Sequence, residues 1–301
     1  FSSISAVLEQ YYASRNVYTR IRQKSVDLRR IVATALDRSR KKYQLQEKQL
    51  KDTEKRDKYK VYGELINTYG YNLEPGSKEL TALNYYTNEE ITIPLDPTQT
   101  PGENAQRYFA KYNKQKRTFE ALTELIQETA DDIQYLESIS NALDIALSEA
   151  DLAQIKEELM QSGYIRRKHT KKKVKLTSKP MHYISSDGYD MYVGKNNLQN
   201  EELTFSFANG NDWWFHAKGA PGSHVIVKSG GDELPDRTFE EAGRLAAYYS
   251  KNRGADKVEI DYIQKKHVKK PNGAKPGFVV YYTNYSLVID SDISNIKNVQ
   301  D

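Results

Sequence analysis

A chain of 301 residues is long enough for two domains of ordinary size. Its 38% hydrophobic and 29% charged residues, with a mean hydropathy of −0.79, leave less core per residue than one compact globule would have. No apolar run reaches the roughly 18 residues of a membrane-spanning helix, and zero Cys excludes a disulfide framework, a thiolate nucleophile and Cys-ligated zinc.

The net charge of +4 conceals strong segregation: residues 15–60 carry 16 Lys/Arg against 6 Asp/Glu, and residues 61–161 carry 7 against 18. Residues 1–14 read as a junction leading into a helical arm. Its first helix, within 15–68, is expected over 17–64, with no Pro or Gly before Gly63. Ile21, Leu28, Leu36, Tyr43 and Leu50 recur at seven-residue steps with one of eight, as in a slowly drifting seam. A knob over 69–102 follows, with turn signals at Tyr69-Gly70-Tyr71 and Pro75-Gly76 and a short alternating strand over 89–95. Pro94, Pro97 and Pro101 are expected to delay the next helix until Glu103. That helix opens a 103–163 segment in which Leu122, Ile126, Thr129, Ile133, Leu136, Ser140, Leu143 and Leu147 alternate four and three apart. A basic first helix and an acidic second attract one another. The expectation is an intramolecular antiparallel coiled coil in a monomer, with the knob as its tip.

Residues 164–180 form a basic linker with 8 cationic groups between 164 and 179 and no acid, among them Arg166, Arg167, Lys171, Lys172 and Lys173. It reads either as a solvated linker or as a phosphate-binding strap that orders on RNA. From 181 to 301 the pattern becomes α/β. Strands are expected over 189–193, 213–217, 224–227, 257–262, 278–282 and 287–289, with helices over 196–208 and 238–252, the latter capped by Thr238.

The densest chemistry runs from Asp212 to His224. Strand alternation puts Asp212, Trp214, His216 and Lys218 on one face, with His224 returning beside them. An Asp, two His and a Ser invite a hydrolase or metal reading, but no nucleophile elbow or recognised ligand spacing accompanies them. A structural His pair and an RNA-contacting aromatic face remain open. A second candidate is the Pro/Gly-rich loop bearing Lys265, Lys266, Lys269, Lys270 and Lys275. Gly230-Gly231 leads into Asp232-Glu233 and is no phosphate loop, so no cofactor is expected.

Three blocks, residues 191–201, 212–224 and 265–277, resemble the NFACT-R domain of the RqcH/NEMF family, whose bacterial members are also labelled fibronectin-binding protein A. The helical arm with its insertion resembles the family's central region. The resemblance implies a non-enzymatic ribosome quality-control factor. Such a factor binds large (50S) subunits obstructed by peptidyl-tRNA and recruits alanyl-tRNA for alanine tailing. It assigns the 69–102 knob to the stalk base and the basic first helix to ribosomal RNA. To tRNA it assigns the Asp212/Trp214/His216/Lys218/His224 face and the lysine loop. It implies a cytoplasmic, ribosome-associated setting and a C-terminal fragment lacking the family's N-terminal domain. The family's other label carries the alternative of a fibronectin- or fibrinogen-binding adhesin at the cell surface.

Overall fold

The structure is a computed structural model and describes residues 4–166 and 178–299. It divides into two compact units: Arg38–Asp132, and a second formed by the chain up to Asp37 and from Ile133 onward. Helices α2 (Val26–Thr53) and α4 (Pro101–Ile145) each contribute to both.

In the Arg38–Asp132 unit, α3 (Asp57–Tyr69) packs on a hairpin of β1 (Glu79–Asn84) and β2 (Glu89–Pro94). β1 escaped the sequence reading although it alternates: Leu80 and Ala82 point inward and join Leu65, Ile66, Ile93 and Ala105. Gly63 lets α3 approach α4, since a Cβ there would lie 2.8 Å from the Phe109 ring. Pro101 begins α4 instead of delaying it, because a first-turn residue needs no intrahelical N–H partner. Thr100 and Glu103 close a reciprocal cap: the Thr100 N–H donates to Glu103 Oε2 at 2.7 Å, and the Glu103 N–H donates to Thr100 Oγ1 at 3.3 Å.

The expected single first helix is interrupted. α1 (Ile4–Lys24) gives way to α2 at Ser25, whose hydroxyl donates to the Arg22 carbonyl at 2.9 Å and so competes with the backbone ladder. A 3₁₀ turn, Glu54–Arg56, separates α2 from α3.

In the second unit, Ile21, Leu28, Val32 and Leu36 pack against Tyr135, Leu136, Ile139 and Leu143 of α4. Leu152, Ile155 and Leu159 of α5 (Glu149–Gln161) join the same core. A third helix therefore covers what was expected to be a two-helix seam. Leu147, placed on that seam, is 51% exposed because α4 has already ended and Ser148 caps α5. The expected charge attraction is present as Arg29–Asp144 and Lys24–Glu149 pairs, each at 2.5 Å.

Seven antiparallel strands form the sheet of this unit: β3 (Met181–Ile184), β4 (Asp190–Val193), β5 (Trp213–Ala217), β6 (Val225–Val227), β7 (Val258–Gln264), β8 (Tyr285–Ile289) and β9 (Lys297–Asn298), in the order β8-β7-β5-β6-β4-β3-β9. α6 (Asn197–Glu202) continues into a π turn, Leu203–Phe207, on one face, and α7 (Asp236–Tyr248) covers the other. Two expectations fail here. Thr238 does not cap α7. The helix starts at Asp236, and the buried Thr238 hydroxyl donates instead to Asp187 Oδ2 at 2.9 Å. Residues 278–282 make no strand, only a bridge between Lys269 and Val280, because β8 already occupies the edge of β7.

Candidate nucleic-acid interface

The alternation expected along β5 holds, but both of its faces are covered. Phe215 and Ala217 join the core under α7; Trp214 joins Leu203, Ile226, Ile263 and Val268 on the opposite face, under α6, the π turn and the loop that follows β7. An open Asp212/Trp214/His216/His224 face does not exist.

Asp212 is 1% exposed and serves as an anchor. Its carboxylate accepts from Lys228 Nζ at 2.5 Å and from the N–H groups of Asn209 at 2.7 Å and Ser229 at 3.1 Å. Trp214 is fully buried, stacked on His216 at 5.6 Å and edge-on to His224 at 5.1 Å, with Tyr281 at 4.9 Å. Its Nε1–H has no hydrogen-bond partner among the described residues, and neither does the Ser223 hydroxyl. A ring enclosed in this way cannot stack on a base. The structural reading of the His pair is the one that fits.

His224 is held by Thr204 Oγ1, 2.8 Å from its Nδ1, while its backbone N–H donates to Asn200 Oδ1 at 3.0 Å. Burial, reinforced by His216, pushes its pKa well below the usual imidazole value. His216 keeps some accessible surface, yet its ring is dry enough that burial lowers its pKa to about 4, against the opposing pull of Asp261. Both rings are neutral at pH 7. Lys218 is exposed but bound to Glu259 of β7 at 2.5 Å. Among the described residues no three His, Asp or Glu are disposed to hold a metal.

The lysines after β7 divide by partner. Lys266 and Lys269 are exposed. Lys265 lies 5.8 Å from the Phe205 ring centroid, Lys270 pairs with Glu201 at 2.7 Å, and Lys275 turns over Tyr135 at 4.7 Å. Arg166 is exposed; Arg167, Lys171, Lys172 and Lys173 lie outside the described residues.

The sequence reading missed how residues 195–200 are used. Asn197 Nδ2 donates to Ser138 Oγ at 2.7 Å and Glu158 Oε1 at 2.8 Å, and Asn196 Nδ2 donates to Gln154 Oε1 at 2.8 Å. Gln199 Nε2 donates to Gln154 Oε1 and to Ser178 Oγ, both at 2.8 Å, and Lys195 Nζ reaches Asp151 at 3.3 Å. This amide network ties the sheet to α4 and α5. Gly277, at φ +76, closes over it, since a Cβ there would lie 2.9 Å from Asn197. The available signal was the side-chain amides at Asn196, Asn197, Gln199 and Asn200, too many for one exposed helical turn.

Residues 1–178 match the family model described as NFACT N-terminal and middle domains, and residues 179–282 match that of the NFACT protein RNA binding domain. Over 301 residues the chain is 41% identical to the Rqc2 homolog RqcH of Streptococcus suis, covering all of this chain and 54% of that protein. The RqcH of Bacillus subtilis is 38% identical over 303 residues, covering 98% of this chain and 52% of that one. The chain thus spans about half the length of these curated relatives. A solved structure, the C-terminal part of the fibronectin/fibrinogen-binding protein from Streptococcus suis, superposes with a TM-score of 0.72 at 38% identity, covering 92% of this chain and 99% of that one. On these matches, which together run over nearly its whole length, the chain belongs to the NFACT family, the RqcH/NEMF group.

Proposed function

We propose that the chain is a non-catalytic RNA-binding module of ribosome-associated quality control. In this reading it docks on 50S subunits obstructed by peptidyl-tRNA and helps recruit alanyl-tRNA for alanine tailing, as a cytoplasmic monomer. The observation that carries it is the match of residues 179–282 to an RNA-binding domain, in a segment whose Lys266 and Lys269 are exposed. The RqcH relatives support the pathway. Within the proposal the paired helices act as a coiled-coil arm, residues 69–102 as its tip against the stalk base, and residues 164–180 as a cationic strap.

The test is co-sedimentation with 50S subunits at rising salt, where phosphate-driven binding weakens linearly on logarithmic axes. Reversing Lys265, Lys266, Lys269 and Lys270 to Glu should weaken tRNA binding. It should also flatten the salt slope by about 3, at roughly 0.7–0.9 per phosphate contact, with circular dichroism unchanged. Lys270, already paired with Glu201, should contribute least. Unaltered tRNA affinity removes this segment from the interface; no 50S binding even at low salt sinks the reading.

The solved relative described as fibronectin/fibrinogen-binding favours a second reading, a surface adhesin. Surface plasmon resonance on immobilised fibronectin decides it: a response that vanishes at physiological salt reflects charge alone.

A further inference from the structure

The cover on the outer sheet face thins toward β3 and β4, where a strip of rings, His182 and Tyr192 among them, is only partly buried. His182 and Tyr192 are cross-strand partners whose rings lie 4.5 Å apart and 5° from parallel. Phe207, last residue of the π turn, meets Tyr192 edge-on at 4.7 Å and is 41% exposed. Lys228 Nζ stands 4.8 Å from the Phe207 centroid, and Asp212 holds it there. The Asn209–Asp212 turn and Gly230–Gly231 line a recess of about 310 Å³ beside this strip. The exposed Lys266 borders it, its backbone N–H donating to the Gly210 carbonyl at 3.0 Å.

We propose that this strip is a stacking platform for an unpaired RNA base, with Phe207 and the His182–Tyr192 pair offering ring surface and the exposed Lys266 meeting a flanking phosphate. The proposal rests on the RNA-binding reading above and names the nucleotide class it takes. Ring surface set among ammonium groups suits single-stranded nucleic acid, because every base has a π face and every linkage a charge. The nearby acids are largely occupied. Asp212 is neutralised by Lys228 and two N–H groups, and Asp190 Oδ1 is 2.7 Å from His182 Nε2. Asp232 and Glu233 are exposed just beyond Gly231, so the strand leaves the platform on the Lys266 side.

The test uses the whole chain and an unstructured oligoribonucleotide of about ten nucleotides carrying 2-aminopurine, within the usual site size of such binders. Wild-type protein should bind it and quench the probe. Phe207→Ala should weaken binding about tenfold and abolish quenching with the salt slope unchanged, and Phe207→Trp should keep both. Phe207→Leu retains apolar area without a ring and should behave like the Ala variant. Its full affinity would show that no ring stacks there and overturn the platform. Loss of binding on lysine reversal but on no Phe207 substitution also overturns the platform while leaving the RNA-binding reading standing. A wild-type chain that binds no RNA removes both.

Discussion

Glu158 on α5 is 1% exposed at the seam with the Asn196–Asn200 segment. Its Oε1 accepts from Asn197; its Oε2 has no partner within hydrogen-bond geometry among the described residues, although Tyr135 stands beside it and eases its ionisation. Burial raises its pKa from 4.5 to about 7, outweighing the opposite pull of Asn197 and Tyr135, and Glu201 adds repulsion. Between those values the folded state binds more protons than the unfolded chain, so stability falls as pH rises through the window. An elevation from 4.5 to about 7 costs about 3 kcal/mol once both states are ionised. Glu158→Gln removes that cost and adds a constant one for its amide N–H₂. Relative to wild type, its stability should rise by about 2–3 kcal/mol between pH 5 and pH 8. Both of the chain's Trp residues lie in β5, so urea unfolding followed by intrinsic fluorescence reports on this unit. A difference between variant and wild type that is the same at pH 5 and pH 8 would refute the reasoning.

Trp214→Ala should destabilise the sheet unit by about 3–5 kcal/mol through the cavity it leaves, whereas Trp214→Phe should keep RNA affinity if the ring is structural; both are read by urea titration and anisotropy. Asp212→Ala strands a half-buried ammonium and two backbone donors, and should cost about 3 kcal/mol in the same unfolding assay. His216 is neutral when folded and has its pKa lowered to about 4, so the unfolded chain binds more protons below its usual 6.5. Stability should therefore fall as pH drops from 6.5 toward 4, and His216→Gln should flatten that limb; equal acid slopes would contradict it.

Much of the secondary structure was legible because it follows from local rules. The period-two run at Trp213–Ala217, the four-three spacing through Leu136 and Leu143, and the alternation over 89–95 each set an element near its observed place. The candidate site was less legible. Alternation says which side chains share a face, and it was right for Trp214 and His216, but it does not say whether that face meets water. Here α6, the π turn and the loop beyond β7 cover it, and Asp212, Trp214 and His224 became core. Thr238 fails as a cap for a related reason: its hydroxyl answers Asp187, 51 residues away.

The sequence by itself determined the charge division of the helices, the family, and a cationic loop over 265–275, because these depend on residue identity and near-neighbour spacing; which of its lysines stay exposed was decided by packing. Tertiary structure alone decided that a third helix completes the helical core. It also decided that residues 195–200 bind α4 and α5 through buried amides, and that Phe207, beside the half-buried His182 and Tyr192, reaches solvent while Trp214 does not. Burial of a polar or aromatic group depends on which distant segment packs over it, and no local periodicity carries that information.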